Sequence, residues 1–338
     1  MAGIVFTEGS GVADSIFGKS QAPIRMFLEK RGETFEKTSV LPLLFNMDTS
    51  KNWGEKYSAM TSMEGFKPVG ENGAKPADGM KESYSKTFEH MVWKDSFSIS
   101  REAVDDAKTL DLTKRPLAFI TGYNRTREKF GAQLFGAAIK GEKTFKIGTA
   151  TFDATCADKE ALFSKTHKSF TGECADQSNQ FADAFSNDAL MALESKMQDF
   201  KDDNGQILDI APDTILIPNE YTLKKNVFAA IGADKDPNTA NNGFNYNFGR
   251  WNVIVWPYLN QFIKNGTLPY VLMASGYNKD NSGAVWLDRV ALEVKSYIDN
   301  NTDANVWGGY SRFSAGFNDW RAFAVGGVSG GTQLIKTT

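Results

Sequence analysis

The residues able to do chemistry in this chain are few and badly spaced for it. It has two histidines, His90 and His167, and two cysteines, Cys156 and Cys174. A Ser–His–acid hydrolase triad would have to be built on one of those histidines. Cys156, His167 and Cys174 offer three metal ligands at long intervals. Zinc sites usually draw on short C-x-x-C or H-x-x-x-H pairs, because ligands one turn apart converge at little cost. Ordinary reduced thiols are therefore expected. Asp105–Asp106 and Asp202–Asp203 are paired acids, but acid–base work needs carboxylates that face each other across a cleft. Adjacent acids at a helix end are expected to be solvated, as are Lys224 and Lys225. No Gly-Lys-Ser/Thr follows a G-x-x-x-x-G. The glycines at Gly326, Gly327, Gly330 and Gly331 read as a plain tail or turn, with no helix after them to cradle a phosphate. No catalytic residue, metal site or cofactor is expected, and the chain is not expected to be an enzyme.

One charge pattern stands apart. Between Leu112 and Lys140 lie the basic residues Lys114, Arg115, Arg125, Arg127, Lys129 and Lys140 against a single acid, Glu128. The whole chain is slightly acidic, with a net charge of -3. Such a basic side is either the solvated back of a helix or a surface for a polyanion, held through phosphate charge without sequence readout.

The element that carries this pattern is the longest helical period in the chain. Phe119, Tyr123, Phe130, Leu134 and Ala138 form one apolar stripe, and Ile120, Phe135 and Ile139 a second beside it. Two adjacent stripes make one wide face, as a helix packed on a core requires. Thr113 is placed to cap its start, Pro116 to occupy its first turn, and Gly141 to stop it. At ~1.5 Å per residue the segment spans ~40 Å.

The flanks read differently. Residues 1–45 hold two short helical patterns, one at Ala13, Ile16 and Phe17, the other at Ile24, Met26, Phe27 and Leu28. They are too short to fold alone and read as an arm. Residues 46–90 are rich in Gly, Pro, Lys and Glu, with strand-like ends (Tyr84, Lys86, Phe88) and turn residues between them (Gly70, Asn72, Gly73, Pro76). A long two-stranded hairpin projecting from the body fits this, and an isolated hairpin needs a partner surface. Val92, Trp93, Phe97 and Ile99 form a strand, and Ser100 caps a short helix through Ala107. Beyond the long helix, 142–180 is irregular. A helix is expected over 181–201, a buried strand at Asp213–Pro218, a helix at 220–231 capped by Asn219, and strands at 251–256, 268–274 and 285–298. The loop 232–249 is dense in Asn, Gly and Pro.

With 338 residues, 41% of them apolar and 25 phenylalanines, the chain can bury roughly 75% of its unfolded surface. Its apolar runs are far short of the ~20 residues of a membrane span. The N-terminus lacks a basic start and a long apolar stretch, so a secretory signal is not expected and no membrane partner is indicated.

The order of these parts, with several local stretches, resembles a known family. Residues 64–106, EGFKPVGENGAKPADGMKESYSKTFEHMVWKDSFSISREAVDD, resemble the major capsid proteins of tailed phages with the Hong Kong 97-type coat fold. Glu64-Gly65 matches a turn before the hairpin's return strand. Phe88 to Trp93 matches an aromatic strand, and Ile99, Ser100, Glu102, Asp105 and Asp106 match the run before the spine helix. DTILIPNEYTLKKNVFAAI and GRWNVIVWPYL look like strand–Pro–helix and strand–Pro units of the axial domain.

The resemblance implies an α+β coat fold in four parts: an N-terminal arm at 1–48, an extended hairpin loop at 49–91, a peripheral domain at 92–143 and 285–338 with the spine helix, and an axial domain at 144–284. It implies a structural head subunit that self-assembles, as pentamers and hexamers, into an icosahedral shell enclosing phage DNA. The loop 232–249 would lie near the capsomer axis. The hairpin residues Glu64, Gly65, Lys67, Glu71 and Lys75 would meet a neighbouring subunit. Arg125, Arg127 and Lys129 would face packaged double-stranded DNA, bound non-specifically. The implied setting is the virion, assembled in the host cytoplasm. With no long charged N-terminal extension, a separate scaffolding protein, or none, is implied, together with a portal. Lys67 and Lys75 do not match the family's cross-linking motif. An encapsulin-type nanocompartment shares the fold and is the alternative. A soluble hydrolase or a carbohydrate-binding module, using the seven tryptophans, would instead be a monomer with a pocket.

Overall fold

The computed structural model describes residues 5–6, 38–60, 66–71, 73–75, 77, 82–102, 109–232, 244–263 and 268–335. The helical patterns expected at 13–17 and 24–28 lie outside them, as do Asp105, Asp106 and all but the first residues of the helix after Ser100.

The dominant element is helix α2, Thr109–Ile139, which follows the short helix α1 at Leu41–Leu44. Its expected apolar stripes are its buried ones: Phe119, Ile120, Phe130, Leu134, Phe135, Ala138 and Ile139 are all buried. The helix begins earlier than expected, so Thr113 is not its cap and Pro116 lies inside it. Proline has no N–H to give the carbonyl one turn back, so the ladder lacks one bond there. Gly141 does stop the helix. Its φ is +70°, its N–H reaches the Ala138 carbonyl at 2.9 Å, and the next N–H, of Glu142, reaches Ala137 at 2.9 Å. This pair of bonds is the Schellman closure, and it needs a left-handed residue where glycine stands.

The described residues fall into two compact units. One comprises positions within 1–55, 88–131 and 286–315, the other positions within 56–87, 132–285 and 316–338. In the first, a sheet runs in the order β1 (Val5–Phe6), β11 (Ala284–Ile298), β12 (Asn305–Phe317) and β5 (Met91–Ile99), with β2 (Asn46–Thr49) also on β11. β5 and β12 are antiparallel and place Phe97 opposite Trp307, with their rings stacked at 5.2 Å. Such cross-strand pairs are the sheet's unit of stabilisation. α2 lies on this sheet through Phe119 and Ile120, which join Ile99, Leu292, Val294 and Trp307 in one cluster. Gly309 permits the approach, because a Cβ there would stand 2.5 Å from the Phe119 ring. Farther along the helix, Phe130 meets Trp93, Trp286 and Phe313 edge-on. Phe313 stacks on both tryptophans.

The second unit has a sheet in the order β13 (Phe323–Gly326), β10 (Tyr270–Met273), β8 (Thr214–Pro218) and β9 (Asn252–Trp256). β8 and β9 are parallel, so the chain crosses over between them through α4, Tyr221–Gly232. Every residue of β8, β10 and β13 is buried, as expected for strands covered on both faces. Phe135 packs edge-on against Trp256, Phe317 and Phe323.

Helix α3 runs over Asn187–Gln198, not 181–201, because the Ser186 hydroxyl accepts the Ala189 N–H at 3.0 Å and fixes the start there. α4 is capped by Glu220, not Asn219: its carboxylate takes the Leu223 N–H at 2.7 Å. The segment read as irregular contains a small hairpin, β6 (Thr144–Ile147) and β7 (Ala150–Asp153). The glycines at the chain's end are not a loose tail. Gly326 lies in β13 against the Tyr270 ring, and Gly331 lies against the Phe181 backbone. A short helix, α5, runs over Ser275–Asp280. No helix among the described residues is long and apolar enough to cross a membrane.

Candidate assembly and nucleic-acid surfaces

The basic residues of α2 do not act together. On a 3.6-residue period, positions 125 and 129 share a face, while 127 points nearly opposite. Arg125 and Lys129 are exposed. Arg127 is turned into the first unit. Its two terminal nitrogens donate to the two carboxylate oxygens of Asp288 at 2.8 and 2.9 Å, and one of them also reaches the Tyr123 hydroxyl at 3.2 Å. The guanidinium lies 4.9 Å from the Trp286 ring centre and 5.3 Å from that of Phe313. Burial works against its charge, and Tyr123 and Asp288 more than offset this, so its pKa stands above the ordinary arginine value. A fork-to-carboxylate pair over aromatic faces is a packing device. Of the three residues expected to face DNA, only Arg125 and Lys129 keep a surface on which to do so.

Glu128, the single acid in this run, is buried. It accepts the Ser39 hydroxyl at 2.5 Å and the Val40 N–H at 3.1 Å. It therefore fastens the chain entering α1 to α2, and it leaves the helix surface carrying basic groups.

The hairpin exists as β3 (Gly54–Met60) paired with β4 (Glu82–Glu89). Its return strand leans on its own subunit. The Ser83 hydroxyl donates to Asp203, Tyr84 meets Phe170 edge-on at 5.0 Å, and Lys86 pairs with Asp153 at 3.0 Å. Burial raises the Asp153 pKa, and Lys86 and Thr155 more than reverse this, so it stands below its ordinary value. Of the expected contact residues, Glu64 and Gly65 lie outside the described residues, and Lys67, Glu71 and Lys75 are exposed. Phe66 is completely exposed and Val69 about half so, and the Gly73 N–H closes a turn on the Gly70 carbonyl at 2.8 Å.

His90 joins β4 to β5 at the base of the hairpin. It is buried, and neither ring nitrogen has a hydrogen-bond partner among the described residues. Burial, then the charges of Arg289 and Arg312, push its pKa below the ordinary histidine value, against a weaker pull from Glu55 and Asp288.

A family profile described as "Phage capsid protein" matches residues 85–326, which include β5, α2 and both sheets' principal strands. The chain belongs to this phage capsid protein family. Among solved structures, a Mycobacterium phage Patience protein matches with a TM-score of 0.51 at 11% identity, over 99% of this chain and 96% of the other. A protein from the capsid of cyanophage P-SCSP1u matches with a TM-score of 0.51 at 9% identity, over 84% and 86%. These similarities show a shared fold. No match was found among curated protein sequences. The chain is thus a structural capsid subunit, a component of a virion.

Within this capsid protein His167, Cys156 and Asp203 are tied into the fold. His167 is buried, with Nδ1 2.6 Å from Asp158 and Nε2 3.1 Å from Asn179, and its ring stacks on Trp320 at 4.2 Å. Burial, with Asp158 beside it, raises the Cys156 thiol well above its usual pKa, the opposite of what a nucleophile needs. The Asp202–Asp203 pair, expected to be solvated, is buried. Asp202 accepts the Asn204 and Gln206 N–H groups at 3.0 and 2.7 Å. Asp203 pairs with Arg321 at 3.0 Å, a partner far away in sequence. Gly327–Gly331 has the G-x-S-x-G spacing of a hydrolase elbow, but Ser329 lies in an exposed turn with no helix after it. No cluster of three or more His, Cys, Asp or Glu side chains among the described residues is arranged to hold a metal.

Proposed function

We propose that the chain is the major head subunit of a Hong Kong 97-type shell, assembling as pentamers and hexamers around double-stranded phage DNA in the host cytoplasm. The observation that carries this is the capsid-family match over 85–326. It encompasses the long helix, the strand that follows the hairpin and the principal strands of both units' sheets. In this reading, 1–48 is an arm, 49–91 an extended loop, 92–143 with 285–338 a peripheral domain, and 144–284 an axial domain. The hairpin lies on a neighbouring subunit through the region of Glu64, Gly65, Lys67, Glu71 and Lys75. The full exposure of Phe66 supports this, since a phenylalanine wholly in water forgoes about 1.5–3 kcal/mol of burial. Arg125 and Lys129 face the packaged DNA, and a separate scaffolding protein and a portal complete the head. An encapsulin-type compartment is not favoured, because the matching family is one of phage capsids.

The test has two arms. Deleting 60–82 leaves a folded subunit that no longer assembles; a deletion that unfolds the subunit would contradict the hairpin's role. Replacing Arg125 and Lys129 with Gln lowers DNA retention in filled heads, increasingly so with salt, while empty shells still form. Equal loss of filled and empty shells would contradict a DNA-facing role.

A further inference from the structure

A cavity of about 350 Å³ opens within the second unit, lined from β3, the turn after α3, α5 and the segment after β12. Its wall carries four carboxylates, those of Asp202, Asp203, Asp280 and Asp319, against one guanidinium, that of Arg321. Two of the acids are fully used. Asp203 accepts Arg321 at 3.0 Å and the Phe170 N–H at 3.3 Å through Oδ1, and the Ser83 hydroxyl through Oδ2. Asp319 accepts the Arg321 N–H at 3.0 Å and its guanidinium at 3.4 Å through Oδ1, and the Tyr277 hydroxyl at 2.9 Å through Oδ2. Arg321 also donates from Nε to the Lys201 carbonyl at 3.0 Å. Its charge is therefore spent on Asp203 and Asp319.

Asp202 and Asn318 are different. Each is only 6% exposed, and each lines the cavity. Asp202 Oδ1 accepts the Asn204 and Gln206 N–H groups, but its Oδ2 has no hydrogen-bond partner among the described residues. Neither has Asn318 Oδ1. The Asn318 backbone is tied on both sides, its N–H to the Gly283 carbonyl at 2.7 Å and its carbonyl to the Ala157 N–H at 3.0 Å, which holds the side chain in place. Buried acceptors are almost always paired, and a bare one is costly, more so when it carries charge. Two bare oxygens on one cavity call for a donor.

The cavity's chemistry selects the donor. Water would satisfy the acceptors but leave the excess of negative charge in place. Hard metal ions collect six or more oxygens, and no three His, Cys, Asp or Glu side chains among the described residues converge to supply them. A primary ammonium brings three N–H donors, one positive charge and no acceptor. Tyr57, Tyr277 and Leu208 on the wall give its carbon stem aromatic and apolar surface. Asp280, exposed, lies at the rim and draws cations towards it. The volume falls in the ~300–1,000 Å³ range of small-molecule sites and far exceeds the ~30 Å³ share of one water.

We propose that this cavity binds the primary ammonium group of a small aliphatic amine, with Asp202 Oδ2 and Asn318 Oδ1 accepting its N–H groups. The test is calorimetry on unassembled full-length subunits at low ionic strength, with 1,4-diaminobutane as the probe and 1,4-butanediol as its neutral counterpart. Saturable binding of the diamine and none of the diol is expected. Asp202→Asn keeps Oδ1 for the two turn N–H groups and puts an NH₂ where Oδ2 stood. It should weaken the diamine by about tenfold or more, as loss of a charged hydrogen bond does, with an unchanged far-ultraviolet spectrum. Glu173→Gln, which removes an exposed acid elsewhere in the same unit, should bind as wild type does. No saturable binding, equal binding of the diol, or an equal loss in Glu173→Gln would overturn the site. A second measurement uses wild type alone. The diamine should slow hydrogen exchange in peptides covering 202–208 and 318–321. Protection elsewhere only, or none, would overturn the proposal, as would magnesium chloride protecting the same peptides at a lower concentration than the diamine. All these readings are made before assembly, so they leave the shell reading untouched.

Discussion

Arg127 and Asp288 meet in a two-pronged ion pair, at 2.8 and 2.9 Å, that joins α2 to β11 beneath the rings of Trp286 and Phe313. The Trp286 indole N–H also donates to Asp288, at 3.1 Å, and the Asp288 carbonyl accepts the Ser50 N–H at 3.1 Å. The aspartate thus gathers helix, sheet and the strand leading to the hairpin.

Removing the guanidinium leaves that carboxylate buried without its counter-charge. Arg127→Met should destabilise the subunit by about 3–5 kcal/mol, as breaking buried pairs does. Arg127→Lys keeps the charge but not the fork and should fall between. Denaturant titration of unassembled subunits measures both. A loss below about 1 kcal/mol, with DNA retention impaired instead, would return Arg127 to the surface role that its neighbours keep.

His90 makes stability depend on pH. In the unfolded chain a histidine takes up its proton near pH 6.5. In the fold, burial and then Arg289 and Arg312 hold the pKa lower. Between the two values the unfolded state binds more protons, so stability is fully present above about pH 6.5 and falls as the solution is acidified through it. Wild type should lose more stability than His90→Gln between about pH 7.5 and pH 5.5. Parallel curves for the two would contradict the orphaned histidine.

Gly141→Ala tests the end of the long helix. Nothing lies within 4 Å of the added Cβ, so the cost is that of the left-handed backbone alone, ~1–2 kcal/mol. Gly122→Ala, exposed within α2 and equally uncrowded, should go the other way by up to ~1 kcal/mol. Melting curves of the two variants against wild type give the comparison. Equal effects would mean that the Schellman closure contributes nothing.

Local signals were readable where they depend on spacing alone. The stripe from Phe119 to Ile139 and the stop at Gly141 need only the helical period and glycine's freedom. Periodicity misled at Phe181 and Phe185, whose spacing extends α3 backwards on paper, while the Ser186 cap ends it. Long-range partners were not readable. Arg127 reads as one more basic residue until Asp288 folds against it, though its two-residue offset from Arg125 and Lys129 already placed it on another face. Asp203 likewise reads as solvated until Arg321 arrives. The four-residue strands β6 and β7 are too short for alternation to declare them. At 244–248 aromatics are expected inside and asparagines outside, yet Asn245 and Asn247 are buried and Phe244, Tyr246 and Phe248 exposed, because the two amides hydrogen-bond to Ala230, Asn187 and Trp251.

The most direct measurement is electron microscopy of the full chain, expressed alone and together with its neighbouring phage genes. Closed shells, or rings of five and six subunits, are the expected result, with Phe66 buried between copies. A stable monomer that forms no particle under either condition would contradict the role of shell subunit.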